Sequence, residues 1–266
     1  MSTTIAAQMI GADFLKVRKR RGTMIWSFVL ALLPLLIFFI VRAADHSSNP
    51  AEHAPAGGVG GFTDALRIVA FIFGPVTAIL IGSDAGAGDA ASGVFRDLVV
   101  TGRSRLALFA TRVPAAIALT WIVVLTGYAL TLIGTFVFAG GSPTPGGALI
   151  ANGLGFALLS TGVICAVAVG FASLTASRPA ALTVLIVWEL IASPILTNIT
   201  ELGNARELVL REAIAHFSPV SLGDGGGHGP FKSVVTMSLG AAISVAIVWL
   251  VVFLALGAWR TRTMDA

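Results

Sequence analysis

Glu189 stands in the run VLIVWELIASP, an acid with apolar neighbours on both sides. A carboxylate at membrane depth costs a few kcal/mol unless it is paired or hydrated, so it must face protein or a cavity. Two roles fit: a carboxylate on a substrate path or at an interface, or a hydrogen-bonded packing group. Pro194 follows five residues later, and Pro75 sits in another apolar run. Each removes a backbone donor and loosens its helix. Nucleophilic catalysis needs a nucleophile with a base in reach, yet His46, His53, His216 and His228 all fall between the apolar runs. Their spacing matches no standard zinc pattern, so no metal site is expected. The single Cys165 excludes an intrachain disulfide and a cysteine cluster, and its apolar surroundings make it a packing residue. No G-x-x-x-x-G-K-[ST] occurs. The glycines of Gly82–Gly88 and of GDGGGHG, from Gly223, read as turns rather than phosphate cradles. Work driven by ATP would need a second chain to hydrolyse it.

The elements that hold these residues follow from composition. The chain is 56% hydrophobic and 11% charged, with mean hydropathy +0.92; a soluble domain carries about 25% charged residues. Too little polar surface remains to cover a globule. Six runs are long enough to cross about 30 Å of hydrocarbon as helices: 24–41, 65–81, 113–139, 148–174, 180–199 and 234–258. Closed backbone hydrogen bonding makes them helical, so the fold class is all-α, a polytopic membrane protein. Glu189 reads as the one acid well inside a span. Residues 24–258 form the membrane domain, flanked by 1–23 and a tail, 259–266. Twelve of the 17 Lys and Arg residues fall on one side of this arrangement and five on the other. The positive-inside bias then makes both termini cytoplasmic in a cell inner (plasma) membrane. It also accounts for the pI near 10.0 without nucleic acid. The run after KVRKRRG is longer than a signal-peptide core of about 7–15 residues, and no clear A-x-A site follows, so it reads as a span.

Three connecting segments carry patterns. Before the first span, Ala6, Ile10, Phe14 and Val17 recur at helical spacing. An amphipathic helix on the inner leaflet follows, with Lys16, Arg18, Lys19, Arg20 and Arg21 near lipid phosphates. In the long outer loop, 200–233, Asn204 and Glu207 resemble a capping box. Val209, Leu210, Ala213, Ile214 and Phe217 then share one face, with Arg211 and Glu212 mostly opposite. That predicts an outer helix against the membrane surface, ended by Ser218-Pro219. The first outer loop, from Arg42 to Asp64, reads as a plain linker. Arg67 is expected to snorkel outward.

The segment between spans two and three, GSDAGAGDAASGVFRDLVVTGRSRLALFATR, is the most organised connection (82–112). Gly82–Gly88 is predicted to end the span. A helix over 90–100, a turn at Thr101-Gly102, and a second helix capped by Ser104 and running into span three follow from its pattern. Reversing direction needs only about 2–8 residues, so this segment reads as a docking surface.

On these residues the chain resembles the permease subunits of the ABC-2 family of ATP-binding-cassette transporters. Gly93, Phe95, Arg96, Leu98, Thr101, Gly102, Ser104, Arg105 and Leu108, closed by Arg112, follow the pattern G-x-F-R-x-L-x-x-T-G-x-S-R-x-x-L. Members often carry Glu early in this loop and Pro where Gly102 stands; here Ser83-Asp84 and Asp89 occur instead. Ser218-Pro219 is similar to the family's turn before the last span. The order of elements agrees: elbow helix, six spans, coupling helices between spans two and three, a short loop at Ser177-Arg178-Pro179, and an outer helix between spans five and six.

The resemblance implies a dimer with a second permease copy or paralogue, each docked through residues 95–105 on a cytoplasmic ABC ATPase subunit. Phe95 and Leu98 would be apolar anchors, with Arg96, Arg103 and Arg105 pairing with acids. ATP and Mg would bind the partner ATPase, with no cofactor on this chain. The substrate path would be lined partly by spans two and five, near Pro75, Pro194 and Glu189. Export of a lipophilic or drug-like substrate is the expectation. Two other classes stay open: a stand-alone secondary transporter, and a membrane enzyme or non-catalytic assembly subunit. The first is weakened because inverted repeats would need matching loops, and those at 42–64 and at Arg178 differ in length.

Overall fold

The computed structural model describes residues 3–91, 93, 100, 102, 104–220 and 235–263. Among these every element is helical, and six helices are long and apolar enough to cross a membrane: Arg21–Ser48, Gly58–Ala90, Arg105–Val137, Gly147–Thr175, Arg178–Asn198 and Leu239–Thr263. They are spans one to six below. A multi-pass helical membrane protein is the class this defines.

Burial orders the spans. In spans two and four 67% of the apolar window is buried, against 22% in span one, 28% in span five and 17% in span six. Spans two and four are therefore the central pair, and spans one, five and six leave most of their apolar surface outward.

Small residues explain the close pairing at the centre. A Cβ on Gly82 would lie 2.7 Å from the Ala168 Cβ and from the Cys165 carbonyl; one on Gly86 would lie 2.5 Å from the Val169 carbonyl. These glycines are four apart on one helix face, the spacing that lets two membrane helices bring their backbones together. The expected break at Gly82–Gly88 therefore does not occur, and the helix runs on to Ala91. The helix penalty of glycine, about 1 kcal/mol each, is offset here by packing that a side chain would forbid. Spans four and six use the same device, with Gly170 against the Phe253 backbone and Gly257 against the Gly170 backbone.

Other boundaries also move outward. Residues 42–48 belong to span one and 58–64 to span two, so the expected linker at Arg42–Asp64 shrinks to nine residues. It is tied down: Gly57 N–H donates to the Phe138 carbonyl at 2.8 Å and Val59 N–H to the Pro143 carbonyl at 2.9 Å. Arg67 turns to Asp64 at 3.0 Å, which also faces Arg42 at 3.4 Å. Ser104 caps span three as its pattern predicts, its Oγ accepting from Ala107 N–H at 3.2 Å. The helix from Arg105 then continues through Pro114 without interruption.

Two π-helical turns interrupt the spans, at Val69–Phe73 in span two and Trp188–Ala192 in span five. Each ends one residue before a small residue followed by proline, Gly74-Pro75 and Ser193-Pro194. The prolines thus loosen their helices in a defined way, by one widened turn apiece.

Candidate functional site

Two buried ionic clusters stand out, one at an end of span two and one beside its middle, at Phe71. The first lies at the end that holds both chain termini. Span two continues past Gly82, so it carries Asp84 and Asp89 inside the helix, both buried. Glu189 is not the sole acid within a span. An ionised carboxylate there needs partners, and four elements supply them.

Asp84 receives Arg20 at 3.1 Å and Arg178 at 2.6 Å, and the Thr23 hydroxyl donates to its other oxygen. Arg178 Nη2 also donates to Thr23 Oγ1 at 3.3 Å. Asp89 is held by Lys16 at 2.7 Å and Arg112 at 2.9 Å. Lys16 pairs with Asp13 at 3.0 Å as well, and Asp13 accepts from the Thr111 hydroxyl at 2.8 Å. These two sets, five residues apart on the end of span two, together join it to the N-terminal helix Thr3–Arg18, the start of span one, and the starts of spans three and five.

The N-terminal helix turns Ala6, Met9, Ile10, Phe14 and Val17 inward, the face its periodicity predicts. It packs against span three. Its basic residues divide. Lys16 and Arg20 are bound to the acids of span two, whereas Arg18, Lys19 and Arg21 are exposed. Arg20, Arg21, Thr23, Trp26 and Arg178 line an open cleft of about 820 Å³ at this corner.

Of the docking segment, Phe95, Arg96, Leu98, Thr101 and Arg103 lie outside the described residues, as does most of the helix predicted over 90–100; of its described positions, 90–91 end span two and Gly93 is non-helical, with φ +74°. Gly102 is exposed with φ +79°, in keeping with a turn that favours glycine. Arg105 Nη1 donates to the Arg262 carbonyl at 3.1 Å, joining the start of span three to the end of span six. Arg112, the last residue of the segment, is 4% exposed and is part of the ionic network.

The second cluster is built on Glu189, near the middle of span five. Its carboxylate faces Arg211 Nη1 at 3.6 Å, and both residues are about 5% exposed. Arg211 lies on the short helix Leu210–Ala215, every residue of which is buried. The outer helix is thus displaced from its expectation. Residues 200–208 form 3₁₀ turns with a kink at Gly203, Val209 precedes the helix, and no capping box forms at Asn204. Arg211 and Glu212 face the bundle instead of solvent. Burial pushes the Arg211 pKa below its ordinary value, and the charges of Glu189 and Glu212 oppose that shift. Sequence reasoning missed Arg211 as a site residue. The available signal was Glu189 itself, an acid in a span that calls for a base.

Among the described residues no group of three or more His, Cys, Asp or Glu could hold a metal ion. His46 Nδ1 lies 2.6 Å from the His53 carbonyl, and His228 falls outside the described residues. No protein-family model matches the chain, and no curated protein matches it.

Proposed function

We propose that the chain is the membrane-spanning permease subunit of an ATP-binding-cassette transporter of the ABC-2 type. It exports a lipophilic or drug-like substrate on energy from a separate ATPase chain that binds ATP and Mg. The observation that carries this reading is the ionic network behind the segment 92–104. A docked ATPase moves the membrane domain only if the docking segment is stiffly joined to several spans. Asp89 and Arg112 tie the two sides of that segment together, Lys16 adds the N-terminal helix, and Arg20 and Arg178 on Asp84 add spans one and five. A displacement at Phe95 to Arg105 would pass to all of them.

In this reading both termini and the docking segment are cytoplasmic, and the N-terminal helix is the elbow. Exposed Arg18, Lys19 and Arg21 meet lipid phosphates, with the adjoining basic cleft open to the same headgroups. The outward apolar faces of spans one, five and six are available to a second permease copy or paralogue and to lipid.

The test is Phe95→Asp. A carboxylate in place of an apolar anchor in the ATPase groove is expected to cost about 2 kcal/mol or more, some 30-fold in Kd. ATPase binding to the purified membrane protein should fall by that much, while insertion and the melting temperature stay as in the parent chain. Unchanged binding would remove Phe95 from the interface.

A further inference from the structure

We propose that Arg211 is a clamp that locks spans two and five together by the backbone carbonyls of their π-helical turns, and that spans two and five separate at their outer ends only when it lets go. The two turns are built alike. In span two Gly74 N–H bonds the Val69 carbonyl, and in span five Ser193 N–H bonds the Trp188 carbonyl, each five residues back. Returning from that spacing to the α ladder leaves a carbonyl without an N–H. The proline that follows in each case, Pro75 and Pro194, withholds a further donor. Each span therefore presents bare carbonyl oxygen where hydrocarbon or a dry interior offers no substitute.

One guanidinium serves both. Arg211 Nη1 donates to the Phe71 carbonyl at 3.3 Å and to the Glu189 carbonyl at 3.2 Å. Its charge is met by the Glu189 carboxylate at 3.6 Å, and its Cζ lies over the Phe71 ring, 5.5 Å from the centroid. Both carbonyls are reached from the same nitrogen, Nη1, so a lysine ammonium brought to that point keeps part of the set without the ring contact. The arrangement joins three parts distant in sequence. With Arg211 in place the two π turns are satisfied and the spans are held at one separation. With Arg211 withdrawn each turn must close on itself towards α spacing or take up water, and the two spans stay joined at the other end, where Arg178 meets Asp84. The short helix Leu210–Ala215 is the lever that carries the clamp, being anchored at one end by the Trp249 indole, whose N–H donates to the Leu208 carbonyl at 2.9 Å. The clamp works for any source of driving energy, so it stands apart from the ATPase reading above.

The experiment uses the full chain in lipid nanodiscs, with Arg211→Met and the charge-keeping Arg211→Lys. Amide exchange is read over 69–77 and 188–197. Separately, spin labels at positions 59 and 199, which are partly exposed at the outer ends of spans two and five, report their separation. In Arg211→Met, exchange should rise in both segments together, by about tenfold, while span three is unchanged, and the label distance should gain a longer population. Arg211→Lys should raise both segments to a smaller degree. A rise in one segment alone, unchanged exchange in both, or a single unaltered label distance overturns the clamp. If Arg211→Met does not fold, the lysine variant decides by the same criteria.

Discussion

Asp89→Ala is expected to destabilise the protein by about 3–5 kcal/mol, the range for removing one member of a buried ion pair. The reason is what stays behind. Arg112 is 4% exposed, and its guanidinium reaches Asp89 at 2.9 Å and the Gly86 carbonyl at only 3.4 Å. Without the carboxylate a buried cation loses a countercharge 2.9 Å away. Lys16 is a weaker partner, its side chain 33% exposed, and water can take over its hydration. Lys16→Met should therefore matter less, by about 1 kcal/mol or under. Unfolding of the detergent-solubilised protein under graded denaturing detergent measures both. Equal stability of Asp89→Ala and the parent chain would show that the network contributes nothing, and would leave the proposed stiffness behind the docking segment without support.

Gly86→Val is expected to have a comparable effect by a different mechanism. Its Cβ would lie 2.5 Å from the Val169 carbonyl and 2.8 Å from the Ala172 Cβ. Backbone cannot swing aside as a side-chain end does, so spans two and four must part. Overpacking of this kind costs about 1–3 kcal/mol and occasionally more, and here it strikes the central helix pair. Loss of close contact also carries Ser173 away, which donates to the Gly86 carbonyl at 3.2 Å. A disulfide scan between spans two and four would read the separation directly. Gly93→Val is the control: Gly93 has nothing within 4 Å of its would-be Cβ, although its φ of +74° adds local strain. If Gly86→Val cross-links and melts as the parent does, the close approach is not what holds these spans.

Six spans and an all-helical fold were legible from hydropathy, because length and apolar content alone decide that a helix can cross a bilayer. The Ser104 cap and the choice of apolar face on the N-terminal helix were legible too, since both depend on neighbours within one or two turns; that this face meets span three was not. What escaped the local reading depended on distant residues. Gly82–Gly88 looked like a helix end because glycine and aspartate disfavour helix interiors. In the fold Gly82 and Gly86 receive span four, Gly88 makes room for Arg20, and the aspartates receive bases from Lys16, Arg20, Arg112 and Arg178. Arg211 was placed in solvent because outer-loop charges usually are. Glu189 needed a base, and that base lies 22 residues further on, behind a turn whose geometry no periodicity reports. Pro75 and Pro194 did announce loosened helices, but the likeness of the two π turns appears only when Arg211 is seen between them.

Recovery of the chain from its native membrane, tagged and in mild detergent, tests the central claim most directly. The proposed permease should come out with an equimolar soluble-type chain bearing G-x-x-x-x-G-K-[ST], and the pair should hydrolyse ATP where neither does well alone. The chain recovered by itself, still moving substrate across a vesicle membrane under an ion gradient without ATP, would contradict it.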